Sequence, residues 1–168
     1  SGTATAADCR APTAGDGSRR LMWVDQLPDH VVVVFDGWCG FCTRCVRLLE
    51  RLDRHGRLEL LAAQLDGVAE HTAVTLDDAA AAAWTLAPGG VRASGAGAIG
   101  LALAVATGTR IPLLPWRLPG VPWLLERAYT WVADNRRRFR GDTPWCAQHP
   151  GRCGEDLPRS CSLPSTPT

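Results

Sequence analysis

The chain has 168 residues, the length of one domain with one core and some flanking sequence. At 46% apolar, 21% charged and 7% aromatic it has a globular composition, which excludes collagenous, coiled-coil and wholly disordered classes. Lys plus Arg number 18 against 17 Asp plus Glu, a net charge of +1, so the basic excess that non-specific nucleic-acid binding needs is missing and no nucleic-acid partner is expected.

Residues 1–20 are small, polar and unpatterned, and such a segment buries too little apolar surface to offset the entropy of ordering it. They are read as a flexible leader. They also lack the apolar stretch of a secretory signal, so a cytoplasmic location is expected. Residues 30–35 form a continuous β-branched run that predicts a central strand buried on both faces. From residue 42 to 55, Val46, Leu48, Leu49 and Leu52 recur at helical spacing, with Gly56 placed to end the helix. Residues 57–61 alternate as a second strand, which completes a βαβ unit with parallel strands. Thr75 and the following aspartates predict the start of a short helix.

Residues 83–86 and 91–93 flank Ala87-Pro88-Gly89-Gly90, a turn of hairpin length, and predict two antiparallel strands. A helix follows over residues 97–106. The apolar stretch containing it, residues 96–107, falls short of the roughly 20 residues that cross a bilayer, so no membrane span is predicted. After Pro112, Pro115 and Pro119 a long helix runs to about residue 138, with Trp123, Leu124, Ala128, Trp131, Val132 and Asn135 along one face. Arg136, Arg137 and Arg138 close it, suited to the negative end of the helix dipole and read as a solvated helix end. The domain is thus placed at residues 21–141. Residues 142–168, rich in Pro, Gly and Ser without a period, are read as a cysteine-containing tail. The element order β-α-β-α-β-β-α with an extra C-terminal helix is that of an α/β domain with a mixed four-stranded sheet flanked by helices.

Trp38-Cys39-Gly40-Phe41-Cys42 falls between the buried strand and the first helix. Cys39 then lies at or beside the helix N-cap, where unsatisfied N–H groups favour an anion. A thiolate is such an anion, and C-x-x-C settings at helix starts lower a cysteine pKa. Cys39 is the predicted nucleophile and Cys42, one turn on, the thiol that resolves a mixed disulfide. No cofactor is needed for this chemistry. Two alternatives stay open: packing cysteines, or a zinc or copper site built from Cys39, Cys42 and Cys45. Asp36 either closes the Asp-Gly turn or accepts a proton from Cys42. Cys45 is read as a core cysteine. Cys9, Cys146, Cys153 and Cys161 are read as thiols of no fixed role, and His30, His55 and His71 as surface residues.

Asp36-Gly37-Trp38-Cys39-Gly40-Phe41-Cys42 resembles the D-G-x-C-x-x-C signature of the DCC thiol-disulfide oxidoreductases, a thioredoxin-like family. Residues 93–99 and residues 129–136, the latter through Tyr129, Val132, Ala133, Asn135 and Arg136, are similar to later segments of that family. The resemblance implies a thioredoxin-like fold and dithiol–disulfide exchange by Cys39 and Cys42. It implies a protein or small-molecule thiol or disulfide as substrate, and an electron-donating reductase as a further partner. Trp38, Gly40 and Phe41 would contact the substrate. Thioredoxin also places a proline before its third strand, opposite the cysteines, whereas residues 77–83 hold none here. Ser94 and Gly95, at the end of the hairpin, are the candidates to face the active site from that side.

Overall fold

The computed structural model describes residues 27–154. The predicted leader with Cys9, and the part of the predicted tail that holds Cys161, lie outside them. Strands β1 (Val31–Phe35), β2 (Leu58–Ala62), β3 (Trp84–Ala87) and β4 (Val91–Ser94) form one sheet in the order β2-β1-β3-β4. β1 pairs parallel with β2, Val31 opposite Leu58, and β3 is antiparallel to both β1 and β4. The helices are α1 (Gly40–Leu52), α2 (Val68–Thr72), α3 (Leu76–Ala81), α4 (Gly95–Thr107), α5 (Val121–Asn135) and α6 (Trp145–Gln148). This is the thioredoxin-like mixed sheet with flanking helices that the sequence predicts. No helix among the described residues is long and apolar enough to cross a membrane.

The valines of β1 serve two cores because successive side chains of a strand point to opposite faces. Val31 and Val33 pack with Leu49 of α1 and with Ala98, Leu101, Ala102 and Val105 of α4. Val34 packs on the other face with Ala63, Val68, Val74 and Ala79. The small residues of α4 let it lie close to the sheet, and Thr85 of β3 donates its hydroxyl to the Ala98 carbonyl across that contact.

Several boundaries differ from the sequence reading. α1 begins at Gly40 and ends at Leu52, short of Gly56. The Asp53 carboxylate accepts the amides of Arg57 and Leu58 at 3.0 and 2.8 Å, which ties the end of α1 to the start of β2 with Gly56, at φ +62, in the turn between them. α2 is a single turn, too short for a hydrophobic period to reveal. α3 carries the predicted cap, with Thr75 and Asp78 exchanging side-chain and backbone hydrogen bonds as a capping box.

The face assigned to α5 is corrected. Trp123, Leu124 and Trp131 are 67%, 59% and 60% exposed. The helix docks instead through polar tips. The Glu126 carboxylate accepts the amides of Ala96 and Gly97 at the start of α4, and the Tyr129 hydroxyl accepts the amide of Ala83. Arg136 follows in a 3-10 turn and donates to the Ala80 carbonyl at 2.7 Å. A helix held by the ends of long polar side chains need not bury its apolar stripe, so its period misleads.

The tail reading is corrected as far as residue 154. Residues 142–154 run back across the start of α1. Asp142 donates its amide to Gly40, Cys146 to Gly37 and Gly154 to Gln64. Arg47 pairs with Asp142 and with Gln148. Cys146 and Cys153 form a disulfide, and Cys153 bridges to Leu65 beside β2. These two cysteines therefore have a fixed place. The segment has no period because a covalent link and backbone hydrogen bonds hold it, rather than a repeating apolar face.

Candidate active site

β1 delivers Asp36 and Gly37 at its C-terminal end, and α1 begins four residues later. Cys39 is the N-cap of α1, in extended conformation, with its Sγ accepting the amide of Cys42 at 3.2 Å. The sulfur thus takes the place that a serine or aspartate oxygen takes at most helix starts. Cys39 is buried, yet its thiol is lowered from 9.0 to about 7, chiefly by hydrogen bonding from the Cys42 side chain, against the opposing effect of burial. Its first-turn position near the positive end of α1 acts in the same direction. Cys42 is pushed strongly the other way by the neighbouring Cys39 sulfur and by burial. One member of the pair is poised as thiolate and the other is held as thiol.

The carbonyl of Cys39 is held as firmly as its sulfur. Thr43, one turn on, donates its hydroxyl to that carbonyl at 3.0 Å and accepts the Trp145 amide at 3.0 Å with the same oxygen. Residues 142–154 therefore brace the start of α1 directly. Gly40 lies against the same segment, since a Cβ there would meet the Asp142 carbonyl.

Asp36 is buried and divided in function. Its Oδ1 accepts the Trp38 amide and the Gln64 side-chain amide, each at 3.0 Å, which is the turn-closing role predicted for it. Its Oδ2 has no hydrogen-bond partner, and the Arg136 guanidinium stands 4.0 Å away. Arg136 is thus not part of a solvated helix end, because its side chain is only 18% exposed and it turns inward to the Asp36 carboxylate. The two charges act on both cysteines in opposite senses, Arg136 lowering and Asp36 raising their thiols.

Trp38, Cys39, Gly40 and Phe41 line one side of a cavity of about 260 Å³, and Arg136, Arg137 and Phe139 line the other. Phe41 and Phe139 meet at 5.4 Å between ring centres, and Trp131 packs edge-on to Phe139 at 6.1 Å. Ser94 and Gly95 are at the same end of the sheet, with Ser94 opposite Trp84 and Trp84 opposite Val34. They do not line this cavity. The Cα of Gly95, at φ +64, faces the Glu126 carboxylate and the Tyr129 ring.

Cys45 is half-buried, with its thiol raised by burial. Among the described residues no three His, Cys, Asp or Glu side chains are grouped to hold a metal ion, so Cys39, Cys42 and Cys45 are not brought into a ligand set. Sequence reasoning missed Gln64 and gave Arg136 no role at the site. Gln64 accepts the Gly37 amide at 2.8 Å while donating to Asp36, and a lone glutamine beyond a strand carries no sequence signal. Arg136 was visible only as a position shared with the resembling family.

The model of one protein family, described as DCC1-like thiol-disulfide oxidoreductase, matches residues 33–142, well over half of the chain. No curated protein and no solved structure matches.

Proposed function

The chain belongs to the DCC1-like thiol-disulfide oxidoreductase family, and from that premise we propose that Cys39 and Cys42 are its exchanging couple. The observation that carries this reading is the N-cap geometry, a Cys39 sulfur that accepts the Cys42 amide with its thiol lowered to about 7. At neutral pH an appreciable fraction is then the nucleophilic thiolate.

The reaction runs in two displacements. Cys39 Sγ attacks one sulfur of a substrate disulfide, forming a mixed disulfide and releasing the other half as thiolate. That step removes the negative charge at Cys39 that had helped to hold the Cys42 proton. Cys42 then loses its proton and attacks Cys39 Sγ, the second half leaves, and the Cys39–Cys42 disulfide remains. Two electrons pass from the dithiol to the substrate, and the reverse sequence oxidises a substrate dithiol. Asp36 Oδ2, buried without a hydrogen-bond partner, is the acceptor available for the Cys42 proton. A reductase or thiol pool that returns the couple to its dithiol form completes the cycle.

Brief alkylation of the folded, reduced protein at about pH 6, read by peptide mass, tests the assignment. Cys39 takes the label first, and prior oxidation abolishes it. With Cys42→Ser a mixed disulfide accumulates on Cys39, and with Cys39→Ser exchange stops. Exchange that persists undiminished in Cys39→Ser overturns the reading.

A further inference from the structure

The cavity at Cys39 carries a chemical preference as well as a nucleophile. Its walls supply two guanidinium groups, those of Arg136 and Arg137, and three aromatic rings, those of Trp38, Phe41 and Phe139. No Asp or Glu among the described residues lines it. Arg136 is oriented by the Ala80 carbonyl and by Asp36, so its charge is fixed at the inner wall. Arg137, the next residue, is exposed. At about 260 Å³ the space suits an arm of a few heavy atoms rather than a folded partner's surface.

The net charge of the whole chain is only +1, so the general field of the protein does little to select among charged substrates. The two guanidinium groups of this wall act on a substrate arm at short range. A guanidinium presents paired N–H donors in a plane that matches a carboxylate.

From this geometry we infer that the cavity takes small disulfides whose arms end in a carboxylate, with Arg137 engaging the carboxylate while Cys39 attacks the adjacent sulfur. The inference rests on the couple proposed above and names its substrate class. The balance is that of any exchange. The Cys39 thiolate forms one S–S bond to the near sulfur, the substrate S–S bond breaks, and a carboxylate-bearing thiolate departs. Attack by Cys42 on Cys39 Sγ releases the second thiolate, so one disulfide is reduced to two thiols as the enzyme dithiol becomes a disulfide.

The test is a single turnover of pre-reduced protein with three symmetric disulfides: anionic dithiodipropionate, neutral hydroxyethyl disulfide and cationic cystamine. Each rate is divided by the rate of free mercaptoethanol with the same disulfide, which removes intrinsic reactivity. The normalised order expected is anionic, then neutral, then cationic, with about a fivefold step between the first two that shrinks as salt is raised. Arg137→Gln lowers the anionic-to-neutral ratio toward one. Arg138→Gln, which removes the same charge one residue away from the cavity wall, leaves the ratio in place. Equal normalised rates for the three disulfides, or equal effects of the two variants, overturn the inference while leaving the couple intact. Failure of all three disulfides to oxidise Cys39 and Cys42 overturns the couple itself.

Discussion

Gly37 and Cys146 are in direct contact. The Cys146 amide donates to the Gly37 carbonyl at 3.1 Å, and a Cβ on Gly37 would stand 2.7 Å from Cys146 Sγ. The same Cβ would meet Gln64 Oε1 at 2.8 Å and Ala62 Cβ at 2.9 Å. The signature glycine is required because a disulfide is packed where its side chain would be.

Gly37→Ala therefore destabilises the protein by about 1–3 kcal/mol, the range for forcing an extra methyl into a filled interior. Gly154→Ala, at a position with no atom within 4 Å of the added Cβ, stays within about 0.5 kcal/mol of the parent. Urea unfolding of the two variants checks the contrast.

The stability of the reduced protein depends on pH through Cys39. Its thiol is at 9.0 when unfolded and about 7 when folded. Between those values the folded protein carries the thiolate while the unfolded chain still binds the proton, so stability rises with pH. The contribution, about 3 kcal/mol at most, is complete above 9 and lost as pH falls through 7. The raised thiols of Cys42 and Cys45 act in the opposite sense only near and above the ordinary thiol range. Unfolding midpoints at about pH 6 and about pH 8.5 should separate for the reduced protein and converge for Cys39→Ser. An identical pH slope in the variant contradicts this.

The buried pair formed by Asp36 and Arg136 acts on the couple in addition to the larger effects of hydrogen bonding between the two cysteines and of burial. Arg136→Gln removes a cation that faces a carboxylate only 1% exposed. A loss of about 2 kcal/mol is expected, less than for a fully buried pair because Arg136 reaches partly to solvent. The midpoint of Cys39 alkylation moves above 7 in this variant and below 7 in Asp36→Asn, since the two charges act on the thiol in opposite directions. The double variant is less destabilised than the sum of the single ones, as two residues in contact require.

In the oxidised protein the proposed couple adds a Cys39–Cys42 disulfide to the Cys146–Cys153 disulfide, and their unequal access predicts reduction in two steps. Cys39 lines a cavity, whereas Cys146 is 2% exposed within a core cluster of Phe35, Val46 and Ala62. Graded dithiothreitol followed by alkylation and intact mass should add two labels at Cys39 and Cys42 before any at Cys146 and Cys153. Replacing Cys146 and Cys153 together by serine removes about 2 kcal/mol of stability, the effect of so short a closed loop.

How much of this was legible depends on what carries each feature. The valines of β1 and the hairpin around Pro88 leave a local signature, and all three strands lie within a residue of where the pattern puts them. The N-cap position of Cys39 also follows from a strand ending at Asp36-Gly37 and a helical period beginning just after. The inward face of α5 does not follow from periodicity, because Glu126, Tyr129 and Arg136 dock by their polar ends and the large apolar residues face outward. The same is true of Gln64 and of residues 142–154. Their partners are remote in sequence, and a hydrogen bond or a disulfide to a distant segment leaves no mark on neighbouring residues.

That remoteness fixes when the site can come into being. Trp145 braces Thr43 across 102 positions, and Arg47 reaches Gln148 across 101. β1 and α1 are among the first parts of the described domain to be made, yet the loop bearing Cys39 receives its last supports only when the far end of the domain has been synthesised. Contacts this distant close late and slowly. A nascent chain lacking residues 142–154 therefore holds both cysteines of the couple without the support that positions them, and the reactive thiol matures only after those residues have been made.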